Sequence, residues 1–353
     1  MIKKSKLFAT VLSSVLAFSM LAGCSSSGSS SSVASSSTST AKPKKIVIGL
    51  SLPTQREERW VRDKDTMEKE AKAAGVELKV QVSDTDVAQQ ASQIENLISQ
   101  GINVLIFAPV DGAAAAASVE KAQKAGIKVI SYDRLIMNTN VDYYLSFDNV
   151  KVGELQGEYI TKAVPKGNYI VMAGAPSDNN ATLFKQGAMK FIQPLVDKGD
   201  IKIVTDQAVD NWEPKNAVNI VENSLTKNKN NIQAILAPND GTAGGAIVSL
   251  TTQGLAGKVP ITGQDAELTA AQRIVQGTQS MTIYKDTREL GKAAIIAAIK
   301  IANGEKPATT STVNNKKMDV PSILLAAQVV DKNNIDKLLI ESGYLKKDDV
   351  YKK

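Results

Sequence analysis

At 353 residues the chain exceeds the roughly 250–300 at which one hydrophobic core stops growing, so two domains are the default, and an apolar fraction of 43% with 22% charged residues is that of a soluble globular protein. The formal charge of +6 falls to +3 once Lys3, Lys4 and Lys6 are assigned to a removable leader, which is too mild and too evenly spread to argue for nucleic acid. The chain has no histidine and a single cysteine, Cys24, which removes the commonest general base, the commonest transition-metal ligand, internal disulfides and cysteine zinc sites together.

Residues 1–23 read as an export signal: a basic start, an apolar stretch from Leu7 to Leu21 too short to span a membrane comfortably, then small residues. Leu21-Ala22-Gly23-Cys24 resembles the lipobox of bacterial lipoproteins, in which the cysteine is acylated and becomes the new amino terminus. Residues 25–40 are almost wholly Ser, Thr, Gly and Ala and can bury nothing, so 24–43 is expected to be a tether between a lipid at Cys24 and the folded part. One acyl chain anchors weakly, and a two-chain modification is expected.

The folded part alternates. Strands are predicted at 45–52, 77–82, 103–108, 127–132 and 142–147, with helices at 59–74, 87–100 and 113–125, and the first three helices each stop on a glycine (Gly75, Gly101, Gly126) of the kind that favours a left-handed C′ position. A helix at 152–164 leads into a second series, with strands at 168–173, 201–206, 233–237, 260–263 and 280–284 and helices at 181–198, 214–228, 242–253 and 268–276. Strands separated by helices of this length mean right-handed βαβ units and parallel sheets, and the restart of the pattern suggests two similar α/β lobes. A helix at 287–302, a polar stretch at 304–317 and a last strand and helix within 323–342 are too little for a third lobe.

Several strands end abruptly on polar residues: Ser131-Tyr132 at Asp133-Arg134, Ala237-Pro238 at Asn239-Asp240, Gly263-Gln264 at Asp265, and Ile283-Tyr284 at Lys285. In open α/β sheets the carboxyl ends of the strands face the ligand crevice. Singly, each has a duller reading. Asp133-Arg134 fits a surface ion pair, Asn239-Asp240, Asn179-Asn180 and Asp265 fit helix caps, Lys285 fits a solvated side chain, and Trp60 and Trp212 fit a core. Both tryptophans nevertheless sit in polar segments, Arg56-Glu57-Glu58-Arg59-Trp60 and Asp210-Asn211-Trp212.

Indole faces with Asp, Asn, Arg and Lys suit a neutral polyhydroxylated ligand, whose C–H faces stack on the rings while its hydroxyls donate and accept. No Gly-x-Gly-x-x-Gly or Walker sequence offers a phosphate site, and no Gly-x-Ser-x-Gly or Ser-x-x-Lys motif stands in a suitable strand-turn-helix context. Neither an enzyme, a cofactor nor a metal is expected.

Arg59-Trp60, Tyr132-Asp133-Arg134, Ser146-Phe147-Asp148-Asn149, Asp178-Asn179-Asn180-Ala181, Asp210-Asn211-Trp212, Asn239-Asp240 before Thr242-Ala243-Gly244-Gly245-Ala246, Gly263-Gln264-Asp265-Ala266 and Tyr284-Lys285 together resemble the D-xylose-binding proteins of bacterial ABC importers, from about Lys45 to about Gly343. That family is similar to the ribose- and galactose-binding proteins. The resemblance implies the type I periplasmic binding protein fold, α/β with two Rossmann-like lobes of parallel sheet joined by three crossovers, here 44–151 with 286–322 and 152–285 with 323–353. It implies a monomer that closes on a monosaccharide, D-xylose favoured, and delivers it to the membrane subunits of an importer. The ligand residues it implies are Arg59, Trp60, Asp133, Arg134, Asn180, Trp212, Asn239, Asp265 and Lys285. Lactose-repressor-type factors share such lobes but carry a helix-turn-helix where this chain has an export signal; a sugar sensor serving a receptor or histidine kinase needs no different pocket.

Overall fold

The computed structural model describes residues 45–352; the leader, Cys24 and the tether lie outside them. The first series builds β1 (Val47–Leu52), α1 (Glu58–Ala73), β2 (Glu77–Val82), α2 (Val87–Ser99), β3 (Val104–Phe107), α3 (Ala116–Lys124), β4 (Lys128–Tyr132) and β5 (Tyr143–Phe147). Gly75, Gly101 and Gly126 end their helices with φ of 68°, 73° and 77°, the left-handed turn that only glycine adopts without strain. All four residues of β3 are buried, because β3 lies between β1 and β4 in a parallel sheet covered by helices. β1 pairs with both β2 and β3, so the order of strand addition reverses there and a crevice opens beyond the carboxyl ends.

The second series follows with α4 (Asn149–Ala163), β6 (Gly167–Ala173), α5 (Asn179–Asp197), β7 (Ile201–Ala208), α6 (Pro214–Lys227), β8 (Ala234–Leu236), α7 (Asp240–Thr252), α8 (Leu268–Gln276) and β9 (Met281–Tyr284). β6 pairs in parallel with β7 and β8, repeating the reversal. The strand expected at 260–263 is reduced to one parallel bridge, Ile261 to Ile235, since Pro260 has no N–H to give. Backbone bonds still run it between β8 and β9: Thr262 N to Ile235 O at 3.2 Å and Ile283 N to Gly263 O at 3.2 Å.

The chain then returns through α9 (Thr287–Ala302) and β10 (Ser311–Asn314) to β11 (Asp319–Leu325), continues as β12 (Gln328–Asp331), and ends near α10 (Lys347–Val350). β10 and β11 join the first sheet, β11 parallel to β5, and β12 pairs antiparallel with β9. The expected break after residue 322 falls inside β11, whose Ile323 to Leu325 still pair with Leu145 to Phe147, so the crossing lies between 325 and 328. In place of the last expected helix there is a π turn at Asp336–Ile340.

The backbones of α4 and α5 touch. A Cβ on Gly153 would lie 1.9 Å from the Phe184 carbonyl oxygen, and one on Gly187 2.1 Å from that of Val150. This contact fixes the start of α5, which carries Asn180 and Phe184, against the helix that leaves β5.

Candidate functional site

All nine ligand residues that the resemblance implies line one cavity beyond the strand ends, and Glu57, Asp178, Phe184 and Gln264 line it with them. Arg59, in the first turn of α1, is 4% exposed. Its Nη1 meets Asp133 Oδ2 at 2.7 Å, while Nε and Nη2 both reach Asp63 Oδ2, at 3.2 and 3.0 Å. Tyr132 donates to the other Asp63 oxygen. Burial works against the charge on Arg59, but Asp133, Asp63 and Asp265 hold its pKa well above the ordinary value. Burial lifts Asp63 to about 6 in spite of Arg59. Asp133 is also buried, yet Arg59, Lys285 and Arg134 keep it below the usual carboxylate value.

Asp133 and Arg134 do not pair with each other. The turn after β4 gives Asp133 a φ of 59° and sends the two side chains apart, Arg134 Nε reaching Asp178 Oδ2 at 3.1 Å. The Asp133 carbonyl accepts from Tyr144 Oη, Ser146 Oγ and Asn180 Nδ2 at 2.9, 2.8 and 2.9 Å. Asn180 is not the cap of α5, which is Asp178, and its Oδ1 is used by Tyr144 and Asn149. Its side chain therefore serves first to hold Asp133, with one amide N–H left over. Trp60 is flanked by the Arg59 and Arg134 guanidinium groups, 4.4 and 5.3 Å from its ring.

From the second sheet, Trp212 meets Phe184 edge-on at 6.5 Å, in space left by Gly174, where a Cβ would lie 2.0 Å from Trp212 Cη2. Lys285, at the end of β9, is 3% exposed; its Nζ lies 2.9 Å from Asp265 Oδ1 and over the Phe147 and Phe184 rings. Asn239 is a helix cap and also a cavity-lining residue, capping α7 through a box with Thr242. Asp265 does not cap α8, whose N-cap is Glu267.

Asp133, Asn211, Trp212, Asp265 and Ala266 all have left-handed φ, from 49° to 98°, a strain that collects at functional sites. Of the buried side-chain atoms that lack a partner among the described residues, Glu57 Oε2, Trp212 Nε1 and Gln264 Oε1 belong to residues lining this one cavity, while Asp265 Oδ1 on the same wall has only the Lys285 ion pair. A buried polar atom left so costs about 1–3 kcal/mol, so their concentration between two indole-bearing walls marks a place for a polar ligand. Three cations and four carboxylates nearly cancel, which suits a neutral one. Among the described residues no carboxylate or cysteine cluster is placed to hold a metal ion.

Of the four lining residues that strand-end reasoning passed over, Phe184 lies four residues beyond Asn180 on the same helix, a spacing that puts both on one face. Asp178 and Gln264 sat inside the quoted motifs, and Glu57 beside Arg59.

The periplasmic binding protein domain model matches residues 48–306. The D-xylose-binding periplasmic proteins of Escherichia coli and Haemophilus influenzae are each 46% identical to this chain, over 88% and 89% of it and 94% of their own lengths. A carbohydrate transporter solute binding protein from Chloroflexus aurantiacus, solved in complex with D-glucose, superposes with a TM-score of 0.81 at 36% identity, over 87% of this chain and 98% of its own. With a mostly parallel α/β architecture of the type I kind and relatives matched along nearly their whole length, the chain belongs to the periplasmic binding protein domain family.

Proposed function

We propose that this chain captures one monosaccharide, D-xylose in preference, between two closing lobes outside the cytoplasm and delivers it to the membrane subunits of an ABC importer, making and breaking no covalent bond. The lobes are 45–147 with α9, β10 and β11, and the remainder from α4 onward. The observation that carries this reading is the cavity itself, where Trp60, Asp133 and Arg59 from the first series of elements face Trp212, Asp265 and Lys285 from the second. A ligand that touches both walls favours the closed form by its differential contacts.

Preference for D-xylose rests on what the Escherichia coli and Haemophilus influenzae relatives are named for, and the D-glucose in the Chloroflexus structure makes glucose the next candidate. The two sugars differ by one hydroxymethyl group, which a pocket excludes by filling its space. Isothermal titration of the purified protein across pentoses and hexoses is expected to show D-xylose binding well below millimolar, stronger than about −4 kcal/mol. No binding by any of them at millimolar concentration overturns the sugar reading.

Anchoring through a lipid on Cys24 is part of the same proposal, supported by Leu21-Ala22-Gly23-Cys24 and the Ser-rich run behind it. Cys24→Ala is expected to move the protein from the membrane fraction to the medium, and mass spectrometry of the wild type to find a diacylated amino-terminal cysteine. An unmodified mature terminus elsewhere refutes it.

A further inference from the structure

The segment that leads into Arg59-Trp60 makes contacts of its own with the opposite sheet. Arg56 Nη1 meets Glu213 Oε2 at 2.8 Å and Nη2 meets the Asn211 carbonyl at 2.6 Å, either side of Trp212. Two residues on, Glu58 Oε2 accepts from the backbone N–H of Leu268 at 2.8 Å. That N–H opens α8, whose own N-cap, Glu267, makes no side-chain cap, so a carboxylate from the first lobe supplies it. Three consecutive residues thus begin and end on cross-cleft bonds.

Glu57 stands between them. It is 8% exposed, its Oε1 accepts from Arg56 Nε at 3.0 Å, and its Oε2 is buried, without a partner, on a residue that lines the cavity. The Arg56 bond fixes which oxygen is turned to which side. A carboxylate oxygen accepts only, so what it lacks is a donor, and a sugar hydroxyl supplies one.

We propose that Arg56 and Glu58 form a clasp across the cleft and that Glu57, held between them, is a specificity residue whose free oxygen accepts a hydroxyl of the bound monosaccharide. This rests on the sugar reading and adds to it a residue that senses one hydroxyl only when the cleft is shut. Opening breaks the Asn211, Glu213 and Leu268 contacts together and removes the constraint on Glu57, so hydroxyl recognition and closure are one event.

The test is a cycle between variants of the full protein and single-deoxy analogues of D-xylose and D-glucose, read by calorimetry, with dissociation followed by stopped flow. Glu57→Ala is expected to weaken the parent sugar about 10- to 100-fold, as loss of a buried hydrogen bond to a charge does. Wild type is expected to reject one deoxy analogue by a similar factor, and Glu57→Ala to lose that discrimination while keeping the others, which a merely structural role of Glu57 does not produce. Arg56→Ala is expected to speed dissociation and leave association nearly unchanged. Equal binding by wild type and Glu57→Ala, or the same weakening toward every analogue, overturns the proposal and leaves the sugar reading standing. A wild type that binds no monosaccharide overturns both. Melting temperatures of the variants, expected within a few degrees of wild type, separate lost recognition from lost fold; should Glu57→Ala unfold, Glu57→Met, which fills similar space without a carboxylate acceptor, carries the same comparison.

Discussion

Arg59→Ala is expected to lower the stability of the folded chain by about 3–5 kcal/mol and to abolish monosaccharide binding at millimolar concentrations. The guanidinium is buried and is the shared partner of two buried carboxylates, Asp63 through Nε and Nη2 and Asp133 through Nη1. Removing it leaves both buried carboxylates without their shared cation. Asp63, already lifted to about 6 with Arg59 in place, rises further and takes up a proton; Asp133 loses the nearest of the cations that keep it ionised. Arg59→Lys is not conservative here, because a single ammonium cannot reach Asp63 and Asp133 at once as the planar fork does. It is expected to keep part of the stability and little of the binding. Urea unfolding gives the first quantity and titration calorimetry the second. A stability change under about 1 kcal/mol for Arg59→Ala means that the two carboxylates do not depend on it.

What the sequence made legible was local. A glycine closing a helix and a β-branched run stopping at a charge are decided by neighbours a few residues apart, so Gly75, Gly101 and Gly126 and the strand ends carrying Asp133, Asn239, Asp265 and Lys285 stood out unaided. Pairing between distant segments did not. Asp133 looked like the natural partner of Arg134, and only the fold brings Arg59, 74 residues away, onto it and Asp178 onto Arg134. Asp63 stands four residues from Arg59 on the same helix, a pairing distance, but only the fold buries the pair. Gly153, Gly157 and Gly187 are there because two backbones meet, and Gly174 because an indole occupies the place of its side chain, contacts that only the fold creates. β10 was lost in a polar stretch since an exposed edge strand buries too little to show a pattern. A duller reading does not exclude a place at the site, since Asn239 caps α7 and also lies on the cavity wall.

A chain without histidine has an unusual relation to pH, and its fold is expected to gain stability on acidification from about pH 8 to about pH 5, where most proteins titrate histidines. The groups available in that window are carboxylic acids displaced upward by burial. Asp63 is raised to about 6, burial outweighing Arg59 and the Tyr132 hydroxyl. Behind Asp265 lies a second set. Asp240, fully buried, accepts from Gln279, Thr282 and the Glu267 N–H, and the Arg273 cation faces it. Both Asp240 and Glu267 are raised, first by burial; each also faces the other and Asp265, and Glu267 faces Glu58 besides. In each case the native state holds a proton that the unfolded carboxylate has already released, so the native state binds more protons and stability must fall as pH rises from about 4 through the raised values. Asp133 and Asp286 are lowered and titrate beneath this window, so they do not oppose the trend within it. The slope is about 1.4 kcal/mol per pH unit for each extra proton held. Urea unfolding of the sugar-free protein across that range measures it, and Glu267→Gln is expected to flatten the part above the Asp63 step while leaving that step in place. Stability that is level or rises between about pH 5 and about pH 8 means that these acids are ionised in the native state.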